Sequence, residues 1–264
     1  MYEEIVQMLD EAVVPKPKPV VILSGGLDSA IILYHLLLKT KEEVETYTII
    51  FDKNDDTIEE SREVAEYYNV KHKVVFSTDV PSLLRMYEEI IPSLERPNFD
   101  LWVYPLAKRI KGDGRETVYA GDGLDEHFGG YWYRNTGYLE DWAECLTYQV
   151  PARQTIYKVL GLEYESPILH LDFRKTLKYY DEGQQKTYLR EAYRGILPNF
   201  ILNRNKKRGG IDYWKLWNEG LKPTFPNSEP KTANDVKTLL HVWVSKKWVK
   251  NIEKLFKENT SNYL

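Results

Sequence analysis

Between an apolar, β-branched run at Val20 to Leu23 and an apolar helical stretch at Ala30 to Leu38 lies Ser24-Gly25-Gly26-Leu27-Asp28-Ser29. Glycines at such a turn let the backbone bend sharply and bring its N–H groups against a ligand. The helix that follows adds unpaired N–H groups and a partial positive charge, which suits phosphate. Ser24 and Ser29 contribute hydroxyl donors. Asp28 is the odd member, because a carboxylate repels a phosphate. Its presence makes sense if Mg2+ sits between the two.

A second loop, Ala120-Gly121-Asp122-Gly123-Leu124-Asp125-Glu126 with Phe128-Gly129-Gly130-Tyr131 after it, also follows a strand-like segment. In a parallel sheet all strands end on one edge, and ligands bind in the crevice there. Asp28 and this acidic loop can therefore face one crevice although nearly a hundred positions separate them. Two carboxylates from different loops would hold Mg2+ on a polyphosphate. Read alone, the second loop is equally a solvated acidic turn, and the first loop gives it a function. Ile49 and Phe51 end the second strand and read equally as pocket-lining or core residues, with Phe51 expected in the core. A basic stretch, Arg204-Asn205-Lys206-Lys207-Arg208, is local and needs its own explanation.

The elements that must position these residues alternate. Val20–Leu23, Thr46–Phe51, Lys73–Phe76 and Thr117–Ala120 read as strands. The stretch from Ala30 to Leu38, a helix opened by a Thr57/Glu60 capping box and running to Tyr68, Pro81–Ile91 and Leu101–Lys111 read as helices. Such alternation predicts an α/β fold, a parallel sheet with helices on both faces. From about Asn135 the strand signals fade, and helical segments rich in Trp, Tyr, Lys and Glu take over. Lys222 to Asn234 reads as a loop, and Asp235–Lys247 and Val249–Lys257 read as the last helices. The layout is an α/β core over 1–134 and a helical C-terminal region over 135–264.

Composition excludes several classes. With 264 residues the chain can bury a substantial core. No apolar run approaches the ~20 residues of a membrane span, and the acidic start, Met1 to Asp10, lacks the features of a signal peptide. A cytoplasmic protein with no membrane partner is expected. Cys145 is the single cysteine, so there is no internal disulfide, cysteine zinc cluster or CxxC pair. A net charge of −4 argues against nucleic acid as a partner.

These motifs resemble the synthetase domain of glutamine-dependent asparagine synthetases and the related β-lactam synthetases, which are N-type ATP pyrophosphatases. The resemblance continues through Gly161-Leu162-Glu163 with Pro167, Lys186 with Leu189-Arg190-Glu191, and Leu197-Pro198 with Arg204 and Lys206. It implies an adenine nucleotide alpha hydrolase-like fold, with ATP and Mg2+ as cofactors. Leu23, Ser24, Gly25, Gly26, Leu27, Asp28 and Ser29 would then bind ATP and its pyrophosphate, together with Ile49, Gly121, Lys186 and Arg204. Asp28 and Asp125 would chelate the metal. Lys206 would neutralise charge on the α-phosphate and in the transition state.

The departures lie in the acceptor half. Asp122 stands where the family has a catalytic Glu, one methylene longer. Glu165 stands in the place of an Arg, His170 in the place of an Asp, and Gln154 and Thr155 near the place of an acidic–basic pair. For His170 a partly buried hydrogen-bonding role is expected. About seventeen residues precede the first strand, and Cys145 lies far away, so a built-in glutaminase domain is not expected.

The expectation is an ATP-dependent carbon–nitrogen ligase. It would activate a small-molecule carboxylate as its acyl-adenylate, release AMP and pyrophosphate, and use Asp122 and Lys206 in catalysis. Ammonia or an amine would come from elsewhere, a separate glutaminase subunit included. A tRNA or nucleobase modification enzyme and a catalytically lapsed nucleotide-binding regulator are the alternatives. Homo-oligomerisation stays open.

Overall fold

The computed structural model describes residues 2–51, 55–76, 79–95, 97, 100–130, 142–183, 185–205 and 212–260. Within them five strands form one parallel sheet in the order β3-β2-β1-β4-β5. The strands are β1 (Pro19–Ile22), β2 (Glu45–Ile50), β3 (Lys71–Phe76), β4 (Thr117–Tyr119) and β5 (Glu163–Glu165). β1 pairs with β2 on one side and with β4 on the other. The sheet reverses its direction of winding at that point, and the β1 and β4 loops emerge side by side there.

Helices cover both faces. They are α1 (Tyr2–Ala12), α2 (Leu27–Lys39), α3 (Thr57–Tyr67), α4 (Val80–Ile90), α5 (Tyr104–Gly112), α6 (Leu124–Phe128), α7 (Val150–Val159), α8 (Thr187–Ala192) and α9 (Ala233–Thr260), with short helical turns between them. The side-chain alternation of a strand sorts the core into two parts. Val20 and Val118 pack on one face with residues of α4, α5, α7 and α9. Val21 and Tyr119 pack on the other with residues of α1, α2 and α6.

Three local expectations are corrected. β5 lies beyond residue 135, where strand signals were expected to fade. At three residues it is too short to show a period, and its pairing with β4 is a tertiary event. The last two expected helices are one continuous helix of 28 residues, α9. The start of α3 is held by Asp55, whose carboxylate accepts from the Thr57 N–H at 2.9 Å, so the capping comes from a residue upstream of Thr57. Cys145 is a buried free thiol, and burial pushes its pKa up, which removes it from nucleophilic chemistry. Among the described residues no helix is long and apolar enough to cross a membrane.

Candidate active site

The loop Leu23–Gly26 joins β1 to the N-terminus of α2. Gly25 has φ of +78°, and a Cβ there would lie 2.5 Å from the carbonyl carbon of Glu60 in α3, so the turn admits only glycine. Ser29 turns inward. Its hydroxyl accepts from the Ser24 N–H and donates to the Gly26 carbonyl, both at 3.2 Å. The buried hydroxyl thus shapes the loop from within, while Ser24 is exposed at its tip.

The β4 loop packs directly on this turn. A Cβ on Gly121 would come within 2.8 Å of the Asp28 Cβ. That closeness brings the two acidic motifs together. Lys186, just ahead of α8, joins them: its Nζ lies 2.5 Å from Asp28 Oδ1 and 2.5 Å from Asp125 Oδ1. Gly130 lies against the same group, since a Cβ there would collide with the Asp125 carboxylate and the Lys186 side chain. Two carboxylate oxygens from two loops therefore converge on one cation. Among the described residues no three His, Cys, Asp or Glu gather as a metal site. A pair of carboxylates fits Mg2+ all the same, because that ion is commonly held by one or two carboxylates plus substrate phosphates.

A cavity of about 610 Å³ opens over this point. Leu23, Ser24, Gly26, Leu27, Asp28, Ile49, Lys186 and Arg204 line it, as do Phe51, Trp102 and Arg190. Phe51 is half-buried in the cavity wall, edge-on to Trp102 at 6.1 Å, and not in the core as expected. Arg204 reaches the cavity while bracing its floor, donating to the Gly25 and Glu60 carbonyls and pairing with Glu63. Arg190, which the resemblance covered without giving it a role, is a further cation of this cavity. It donates to the carbonyls of Gln185, Leu202 and Arg204, and burial lowers its pKa against the pull of Asp28. Lys206 lies outside the described residues.

A second cavity, about 330 Å³, shares Ile22, Ser24, Asp28 and Trp102 with the first and continues toward Gly121, Asp122, Asp125, Arg153 and Tyr164. Asp122 is bound on both oxygens. Arg153 donates to one at 2.7 Å, and Tyr164 and Ser166 donate to the other at 2.7 and 3.3 Å. Arg153 also donates to Asp100 at 3.2 Å and lies over the Trp102 ring at 5.9 Å. Burial opposes its charge, yet Asp122 and Asp100 hold its pKa above the ordinary value. Three of the Asp122 carboxylate's four acceptor sites are thus taken within the protein. Arg153, Tyr164 and Trp102 escaped the sequence reading because each stands alone in its own segment.

Of the other acceptor-half departures, Glu165 and His170 lie elsewhere. Glu165 pairs with Lys16 at 2.7 Å, and His170 is exposed, not partly buried. Neither appears in the lining of either cavity.

A glycine turn at the switch point of a 3-2-1-4-5 parallel sheet, with carboxylates on both adjoining loops, defines a doubly wound α/β protein with its ligand crevice between the β1 and β4 loops. The chain belongs to the asparagine synthase family, whose model matches residues 4–163. It is similar to the glutamine-hydrolyzing asparagine synthetase 1 of Arabidopsis thaliana, at 27% identity over 92% of this chain and 45% of that protein. It is also similar to the glutamine-hydrolyzing asparagine synthetase of Rattus norvegicus, at 27% identity over 70% of this chain and 38% of that one. The chain thus spans less than half the length of these relatives. A solved structure of NMN synthetase from Francisella tularensis covers 94% of both chains at 16% identity and a TM-score of 0.41, too low to bear on function.

Proposed function

We propose that this chain is an ATP-dependent amide-forming ligase that activates a carboxylate as its acyl-adenylate. The observation that carries the reading is the convergence of Asp28, Asp125 and Lys186 at the mouth of a glycine turn, beneath a cavity with aromatic walls. In this reading adenine lies toward Ile49, Phe51 and Trp102, and the β- and γ-phosphates lie on Ser24–Asp28. Asp28 and Asp125 hold Mg2+, which when bound offsets phosphate charge. Arg190, Lys186 and Lys206 supply further positive charge where negative charge develops. The acceptor acid enters through the second cavity. Its oxygen attacks the α-phosphorus, the bond to the bridging oxygen breaks, and pyrophosphate leaves. Ammonia or an amine then attacks the acyl carbon and AMP departs.

Residues 1–134 form the ATP-pyrophosphatase core in this scheme, and 135–264 complete the site by supplying Arg153, Tyr164, Lys186 and Arg190. The amine reaches the site as free ammonia or from a separate glutaminase subunit, in the cytoplasm. Asp122 acts by holding Arg153 and Tyr164 at the acceptor end.

The test is exchange of labelled pyrophosphate into ATP across a panel of carboxylic acids, with Asp28→Asn as control. Acid-dependent exchange that the variant loses is expected. Absence of exchange with every acid, while ATP still binds, rejects the ligase reading.

A further inference from the structure

Lys186 stands in an unusual place for a residue that only binds nucleotide. It is 4% exposed, and its backbone has φ of +55°, a left-handed conformation that costs a non-glycine residue about 1 kcal/mol or more. Such strain persists where the surroundings over-determine it. Here the Lys186 N–H donates to the Gly129 carbonyl at 3.1 Å. On either side, Asp181 accepts from the N–H groups of Gly183, Gln185 and Thr187 and from the Thr187 hydroxyl. This knot aims the side chain at the carboxylate pair.

We propose that Lys186 is the resident counter-ion of the Asp28–Asp125 pair and competes with the divalent cation for it. The inference rests on the reading that these two carboxylates hold Mg2+. With Lys186 in place, two carboxylates and one ammonium carry a net −1. A divalent ion arriving alone meets carboxylates already bound to a cation and a buried positive charge beside them. A polyphosphate changes the balance, because it offers the ammonium another anion within the same cavity, whose lining includes Lys186, Ser24 and Gly26. Metal and polyphosphate then bind together, and metal alone binds weakly. The arrangement keeps the carboxylates paired when no nucleotide is present, so they do not repel each other.

The experiment measures Mg2+ binding to the full chain by isothermal titration and by thermal shift, with no nucleotide and no acid present. Lys186→Met should bind Mg2+ on the order of 10-fold or more tightly than the native chain. Its melting temperature should be lower in metal-free buffer and should recover with Mg2+. Adding Asp28→Asn to that variant should abolish the gain. Lys186→Gln, whose amide still donates to a carboxylate, replaces the methionine variant if that one fails to fold. If both fold only in millimolar Mg2+, that dependence supports the proposal, and failure to fold with Mg2+ overturns it. Equal Mg2+ affinity in the native chain and the folded variant overturns it, as does a gain that survives Asp28→Asn. Pyrophosphate exchange plays no part in this readout, so a failed ligase reading and a failed counter-ion reading are separable.

Discussion

Both oxygens of Asp122 are bonded within the protein, to Arg153 on one side and to Tyr164 and Ser166 on the other. A substitution there acts first on Arg153, whose side chain is 17% exposed and leans on Asp122 and Asp100 for its partners. Asp122→Glu keeps the charge but lengthens the side chain by one methylene into this fitted network. We expect amide formation to fall by ~10²-fold, as misplacement by an ångström can cost, while pyrophosphate exchange persists. Arg153→Lys should show the same split, since an ammonium cannot replace a fork that meets two carboxylates. The measurement is the ratio of the complete reaction to exchange in each variant. A proportional loss of both rates would place Asp122 and Arg153 at the ATP end and reject the acceptor role. The place of Asp28 in the glycine turn was readable from its neighbours in sequence, while its partner Lys186, 158 positions away, was not. Arg153 was not, because its role depends on partners 31 and 53 positions away.

The β1–α2 turn was the most legible element, since strand, glycine pair and helix follow each other without interruption. Its constraint from outside was not legible: the Gly25 Cα faces the backbone of α3. Gly25→Ala should destabilise the fold by about 1–3 kcal/mol, combining left-handed strain with a backbone collision. It should also weaken pyrophosphate binding, because relieving the collision moves the N–H groups of the turn. Chemical denaturation and pyrophosphate titration of the variant check the two effects. A stable variant that binds normally would mean that the turn is not held against α3. The β5 strand shows the opposite case. Its pairing with β4 in register Val118 with Tyr164 places Tyr164 at the site, and three residues carry no periodic signal to announce it.

Across the whole molecule, half-buried and buried histidines tie stability to pH. His72 bonds Thr46 at 2.9 Å and Ser61 at 3.2 Å, and burial, aided by Arg62, pulls its pKa down to about 4. His35 sits between Asp10 and Tyr193, and burial lowers its pKa too, against the pull of Asp10. The unfolded chain takes up these protons near pH ~6.5 and the folded chain resists them. Their contribution is therefore full above that pH and is lost as pH falls toward 4. Urea midpoints should drop steadily between pH 7 and pH 4.5, and His72→Gln should flatten part of the slope. Equal midpoints at pH 7 and 5, or an unchanged slope in the variant, would contradict this.

From the sequence alone came what local chemistry dictates: a glycine turn between strand and helix, an acidic loop after a strand, and alternating strands and helices that imply a parallel sheet. Each is written in neighbouring residues. Tertiary structure decided what depends on distant segments meeting. It brought Lys186 between Asp28 and Asp125, set Arg153 and Tyr164 against Asp122, and turned Glu165 toward Lys16. The physical reason is that a charge's role is set by the charges packed around it, and those come from elements whose order in space no single segment contains.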